Sequence, residues 1–124
     1  DLAVVRALAD RVAVLYQGRL CEMGPSENVY RFPSHPYTEA LLSAAPIPDP
    51  EATQNQIRLE GSVPTLHSAF KGCFFAGRCP RKIGDICDTS APPEQAGSHG
   101  EGHIINCHIP VEELAIIQQQ PFQN

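Results

Sequence analysis

Between Gly61 and Gly102 the chain carries many Gly and Pro residues, only isolated apolar residues, and no hydrophobic periodicity. A loop of that length inside a compact domain is uncommon and needs a source of stability other than a core. Three cysteines, Cys73, Cys79 and Cys87, fall inside it, and a fourth, Cys107, follows just after. Five, seven and nineteen residues separate successive members. A thiolate is a soft, charge-donating ligand, and four of them suit an iron–sulfur cluster or a zinc ion. A metal tying the four together would order the loop. The spacing matches neither common ferredoxin run nor the short two-cysteine knuckle of structural zinc. The loop itself would then wrap the site, with Gly72, Gly77 and Gly84 giving the backbone its freedom. Arg78, Arg81 and Lys82 lie between the cysteines and could offset the charge of a cluster. Reduced thiols without metal, and disulfides formed on handling, are the plainer alternatives.

The rest of the composition narrows the class. A chain of 124 residues can form one domain with a modest core. With 42% hydrophobic and 19% charged residues it reads as globular; the hairpin, short helices and cysteine-containing loop expected below make it α+β in class. The net charge of −5 does not favour nucleic acid, which wants a basic face. No apolar run approaches the ~20 residues of a membrane span. Charges at Asp1, Arg6, Asp10 and Arg11 argue against a secretory signal. The chain therefore reads as cytosolic, where stable disulfides are rare. Cys21 stands far from the other cysteines in sequence and reads as a plain strand residue.

Local patterning sets the expected elements. Asp1 caps a short helix to Ala9, with Leu2, Val5 and Leu8 facing inward. Val12–Tyr16 is a branched apolar run, which predicts a strand buried on both faces. Gln17-Gly18 is a two-residue turn, and Arg19–Glu22 returns as its hairpin partner. Gly24-Pro25 breaks that hairpin, and Ser26 caps a helical turn with Val29 and Tyr30 inward. Pro36 opens a helix to Ala45 that buries Tyr37, Ala40, Leu41 and Ala44. Residues 46–56 read as a polyproline-like linker. Ile57–Leu59 is a short strand candidate, and residues 61–110 form a long cysteine-containing loop region. Val111–Gln118 closes as an amphipathic helix with Val111, Leu114 and Ile117 on one side.

Other polar residues carry less. His99, His103 and His108 flank Cys107, and imidazole is a good zinc ligand. His108 with Cys107, Cys73 and Cys79 is the alternative mixed zinc site. His99 and His103, set among Gly and Ser, read as solvated loop residues. His35 caps or orients the helix after it. Tyr30, Phe32, Tyr37, Phe70, Phe74 and Phe75 read mostly as core. The acidic pairs Asp49/Glu51 and Glu112/Glu113 read as solvated. No nucleophile stands beside a base, so hydrolase chemistry has no support.

Several strings together resemble a known family. Asp1–Val5, Ala9–Tyr16 and Gln17–Leu20 resemble the end of an ABC-transporter ATPase domain, after its switch histidine. His35-Pro36-Tyr37-Thr38, Gly61-Ser62-Val63-Pro64, Gly72-Cys73-Phe74-Phe75 and Arg78-Cys79-Pro80 look like the C-terminal extension of oligopeptide, dipeptide and nickel importer ATPases. The resemblance implies that residues 1–24 end the ATPase core and residues 25–124 form the extension. It also implies a [4Fe–4S] cluster on Cys73, Cys79, Cys87 and Cys107, with zinc as the alternative. Asp1 would help position the switch histidine, which this chain lacks. No glycine-rich phosphate loop, ABC signature or Walker B strand occurs in it. The chain therefore reads as a C-terminal fragment, with ATP and Mg²⁺ bound elsewhere in the parent and no catalytic residue of its own; the alternative is a free-standing metal-binding interaction module holding zinc or an iron–sulfur cluster. The implied partners are permease subunits and a second ATP-binding subunit, and indirectly a substrate-binding protein. The implied place is the cytoplasmic face of the cell membrane.

Overall fold

A computed structural model describes residues 10–44, 57, 59 and 70–119. Strand β1 (Arg11–Tyr16) and strand β2 (Arg19–Pro25) form the expected hairpin. Gln17 (φ 51°) and Gly18 (φ 77°) both take positive φ. That is the combination a two-residue type I′ turn requires, and it matches the strand twist. A register shift between Val14 and Leu15 marks a bulge, so Val14 faces Glu22 while Leu15 faces Leu20.

The hairpin differs from expectation in two ways. β1 is an edge strand, not one buried on both faces: Arg11, Ala13 and Leu15 are exposed, and Leu15 keeps 56% of its surface. Among the described residues nothing covers its second face. Gly24-Pro25 does not break β2 either. Gly24 stays in the strand because His103 and Val29 pack against its bare Cα, with contacts of 3.1 and 3.3 Å to a side chain there.

The larger departure lies in the cysteine-rich stretch. It is not one long loop. It holds a run of turns over 74–78, a short helix α3 (Ile86–Thr89) and a second hairpin. The strands of that hairpin are β3 (Glu94–Ala96) and β4 (Ile104–Asn106). β4 pairs with β3 on one side and with β2 on the other, giving a four-stranded antiparallel sheet in the order β1-β2-β4-β3. Three-residue strands are too short to show alternation in sequence, and β4 finds its second partner some eighty residues upstream. Gly100 (φ 110°) and Gly102 (φ 73°) turn the chain between them.

Helix α1 (Ser26–Arg31) begins at Ser26, which is not its cap. Pro25 holds that position, and the Ser26 N–H instead donates to the Asp10 carbonyl at 2.9 Å. Val29 is buried beneath it, while Tyr30 is half-buried. Helix α2 (Pro36–Ser43) starts as expected with Pro at its first position. It buries Pro36, Thr38 and Ala40, leaves Tyr37 and Leu41 half-buried, and ends at Ala44, which is exposed. Neither Ile57 nor Leu59 sits in a strand. The expected helix over 1–9, the linker over 46–56 and Asp1 itself lie outside the described residues.

Helix α4 (Val111–Ile117) packs as expected through Leu114, with Val111 and Ile117 at its flanks, onto Ile105, Cys107 and Ile109. Gln95 on β3 ties it down. Its Oε1 accepts from the Val111 N–H at 3.0 Å, and its Nε2 donates to the Cys107 and Ile109 carbonyls at 2.8 Å. This glutamine satisfies an otherwise orphan donor at the helix start. A second core joins Tyr16, Cys21 and Phe75, with Val14, Tyr37, Leu59, Phe74, Cys73 and Cys79 around them. Tyr16, Tyr37 and Phe75 pack mutually with ring centroids 4.9 to 5.1 Å apart. Phe32 is not core: it is 44% exposed and stacks on His99.

Candidate metal centre

The four clustered cysteines come to line one cavity. Cys73, Cys79, Cys87 and Cys107 line one small cavity of about 20 Å³ between the turn segment, α3 and the end of β4. The local hydrogen bonds explain how. The Cys73 N–H donates to the Cys87 carbonyl at 2.7 Å, which docks the two loop segments side by side. Gly72 permits that approach, because a side chain there would run into the Asp88 and Cys87 carbonyls. Tight turns then carry the chain from Cys73 to Lys82, through Ala76 N–H to Cys73 carbonyl and Arg78 N–H to Phe75 carbonyl. The Cys107 N–H donates to the Pro93 carbonyl at 3.3 Å and brings the fourth thiol in from the sheet. Of the three glycines expected to free the backbone, Gly72 does so by close approach and Gly84 by its φ of 148°. Gly77 meets nothing and needs no special conformation.

All five cysteines are free thiols. Burial pushes the Cys79 thiol up to about 12 and the Cys107 thiol up to about 11, and it raises Cys73 as well. At neutral pH these three are neutral, and a nucleophilic role for them has no basis. Opposing burial, nearby backbone N–H groups favour the thiolate: those of Phe75 and Ala76 for Cys73, of Arg81 for Cys79, of Ile109 and His108 for Cys107. Donors so placed stabilise a thiolate, as the outer shell of a thiolate–metal site does.

This donor set fits a thiolate metal centre by its chemistry. The space fits less: 20 Å³ holds about one water-sized group, not a four-iron, four-sulfide cube. Among the described residues, no three Cys, His, Asp or Glu side chains stand together as a set ready to hold an ion. The thiols would have to close on a single ion, or spread to admit a cluster.

The neighbouring side chains are largely engaged. Arg81 lines the cavity and forms a two-pronged pair with Glu39, at 2.8 Å for each nitrogen. Lys82 also lines it and pairs with Asp88. His108 lines it too, with its Nε2 2.8 Å from the Ser90 carbonyl. That contact takes one ring nitrogen of the alternative zinc ligand.

One expectation about a single residue is extended here and one fails. Cys21 is a buried strand residue on β2, as expected, and it also packs in one apolar cluster with Cys73 and Cys79, where burial foremost, then the Cys73 thiolate, pushes it up to about 12. His103 is not solvated. It is 2% exposed, and its Nε2 lies 2.6 Å from Oε2 of Glu22, itself fully buried. The same carboxylate accepts the backbone N–H groups of Ser34 (3.1 Å) and His35 (2.8 Å). Sequence reasoning missed Glu22 altogether, because its partners come from α2's start and from a loop 81 residues away. His99 is half-buried, against Phe32 and His103.

His35 does cap α2, as expected. Its Nδ1 accepts the Tyr37 N–H at 3.0 Å while the Asn106 backbone bonds the ring, which places the ring proton on Nε2. Burial pulls this imidazole down to about 4, partly opposed by the Glu22 charge.

A two-hairpin sheet with four convergent free thiols at one end defines a small cysteine-rich α+β module. Residues 21–87 match the family described as oligopeptide/dipeptide transporter, C-terminal region, and the chain belongs to that family. It is similar to a putative peptide import ATP-binding protein of Brucella ovis, 47% identical over 107 residues, covering 86% of this chain and 33% of that protein. A probable peptide ABC transporter ATP-binding protein of Sinorhizobium fredii is 42% identical over 109 residues, 88% of this chain and 30% of its own length. A putative oligopeptide transport ATP-binding protein of Bacillus subtilis is 40% identical over 111 residues, 88% of this chain and 33% of its own length. The chain spans about a third of each of these relatives. Among the described residues no helix is long and apolar enough to cross a membrane.

Proposed function

We propose that this chain works as the C-terminal part of the ATP-binding subunit of a peptide importer. What carries the reading is the 47% identity to a peptide import ATP-binding protein over most of the chain. In that reading residues 1–24 complete the ATPase core and residues 25–124 form an extension with a structural or regulatory role. The parent subunit binds ATP and Mg²⁺, pairs with a second ATP-binding subunit and docks on permease subunits at the cytoplasmic face of the membrane. Deleting residues 57–124 from the full-length subunit should impair assembly, ATPase activity or transport. Unchanged values for all three would remove the assigned role.

Within that extension, Cys73, Cys79, Cys87 and Cys107 hold a metal centre. The support is their convergence on one cavity and the backbone N–H groups that favour the thiolate form of three of them. A [4Fe–4S] cluster suits the four-thiolate count, and a single zinc ion suits the small space. Either would supply positive charge that turns neutral thiols into thiolates and staples three loop segments to the sheet. The chain's own part is to present the sulfurs, shield them with Phe75 and Ile109, and donate backbone N–H groups. Iron, sulfide and zinc are to be measured after anaerobic purification. We expect metal at about one centre per chain, lowered by Cys73→Ser. Metal content unaffected by that change would show the ligand assignment to be wrong.

A further inference from the structure

A second cavity, of about 550 Å³, is also lined in part by Cys73 and has no place in the metal reading. Its size suits a small molecule. Its lining is neither uniformly apolar nor singly charged. Tyr16, Phe70, Phe74 and Phe75 supply aromatic surface, Arg19 and Lys71 positive charge, and Glu94 negative charge. The Arg19 guanidinium lies over the Phe74 ring, 4.6 Å from its centre, which holds the cation at the wall. Among the described residues neither Arg19, Lys71 nor Glu94 forms an ion pair.

A buried orphan adds an independent sign. Tyr16 is 4% exposed, and its hydroxyl has no hydrogen-bond partner among the described residues. A buried polar group without a partner costs free energy, and a ligand that bonds it removes that cost.

The sheet sets the separation of the two backbones that carry opposite charge. Arg19 sits on β2 and Glu94 on β3, with β4 between them. Glu94 pairs with Asn106 and Glu22 with Ile105, so Arg19 lies two strand spacings across and about two residues further along, roughly 12 Å away. An extended chain of about three residues spans a comparable length. We propose that this cavity binds a short zwitterionic peptide of about three residues with an apolar side chain. The carboxylate goes to Arg19 and Lys71, the ammonium to Glu94, the side chain to Phe70 and Phe74, and a peptide carbonyl to the Tyr16 hydroxyl. Failure of this proposal leaves the metal reading intact, since the two cavities share Cys73, His35 and Phe75 but no charged residue.

The test is calorimetric titration of the intact chain with alanyl-phenylalanyl-alanine, its N-acetyl form, its C-terminal amide, and free phenylalanine. The free tripeptide should bind at least about tenfold more tightly than the other three, because each lacks a charged contact or the span between them. Arg19→Ala should weaken the free tripeptide but not the amide, and Glu94→Gln should weaken it but not the N-acetyl form. Tyr16→Phe should lower tripeptide affinity about fivefold while leaving the melting temperature of the free chain unchanged or higher. A merely structural tyrosine hydroxyl would instead lower that temperature. Equal binding of all four compounds, or no saturable binding of the tripeptide, overturns the proposal. So does an affinity indifferent to Arg19→Ala and Glu94→Gln in variants with an unchanged circular dichroism spectrum.

Discussion

Single residues in this protein are constrained by what they touch rather than by their type. Glu22 is a fully buried carboxylate that accepts from two backbone N–H groups and faces His103. Glu22→Ala strands all three partners, and a loss of about 3–5 kcal/mol is expected from urea unfolding. A buried but well-packed apolar neighbour such as Val29 has no such cluster of dependants. His35 gives a pH signature. Its folded value of about 4 lies below the ordinary 6.5, so the unfolded chain takes the proton first. The contribution is present above pH 6.5 and is lost as pH falls from there through about 4. Thermal melts at pH 7, 5.5 and 4.5 should therefore show falling stability. His35→Gln should flatten that fall, and an unflattened profile would place the acid sensitivity elsewhere. The capping role of His35 was readable from the adjacent Pro36 alone, because a cap is a local interaction. Glu22 and His103 were not readable, since their bond joins residues 81 positions apart.

At the level of elements, local signals worked where one segment satisfies itself. The β1–β2 hairpin follows from Gln17-Gly18, and Gly18→Ala should cost about 1 kcal/mol because its φ of 77° suits only a residue without Cβ strain. Helix α4 follows from the spacing of Val111, Leu114 and Ile117. Leu114 is 1% exposed, and Leu114→Ala should cost about 3 kcal/mol in a denaturant titration. Gly72→Ala tests the cysteine segment in the same way. The added methyl forces Gly72 and α3 apart, so a loss of about 2 kcal/mol and a weaker metal uptake are expected together. Normal metal uptake in a destabilised variant would separate the loop docking from the site. The second hairpin was illegible, because β3 and β4 have three residues each and acquire strand character only by pairing. The double burial expected for β1 failed for the opposite reason. An apolar run states that a strand can be covered, and only its neighbours decide whether it is.

Across the whole molecule, the cysteines couple stability to pH and metal. Cys21, Cys79 and Cys107 have folded values of about 12, 12 and 11 against an ordinary 9. The folded chain thus holds these protons more tightly than the unfolded chain does. Their contribution is complete below pH 9 and is lost as pH rises through 11 to 12. The metal-free chain should therefore weaken steadily above pH 9, followed by chemical denaturation under reducing conditions. Bound metal displaces the protons and should blunt that loss, with metal affinity rising between pH 6 and 8. A metal affinity that falls with pH in this range would contradict thiolate ligation.

Sequence alone determined the family, the first hairpin, the cap and start of α2, the closing helix, and the four cysteines as a group. Each of these rests on short-range chemistry: turn glycines, a proline at a helix start, helical spacing, or residue strings specific to one family. Tertiary structure decided the second hairpin, the convergence of the four thiols on one cavity and the packing of Cys21 in one apolar cluster with Cys73 and Cys79. It also decided the Glu22–His103 contact and the charged cavity that Cys73 helps to line. Those depend on which distant segments the chain brings together, and pairing across tens of residues leaves no period or motif in the string.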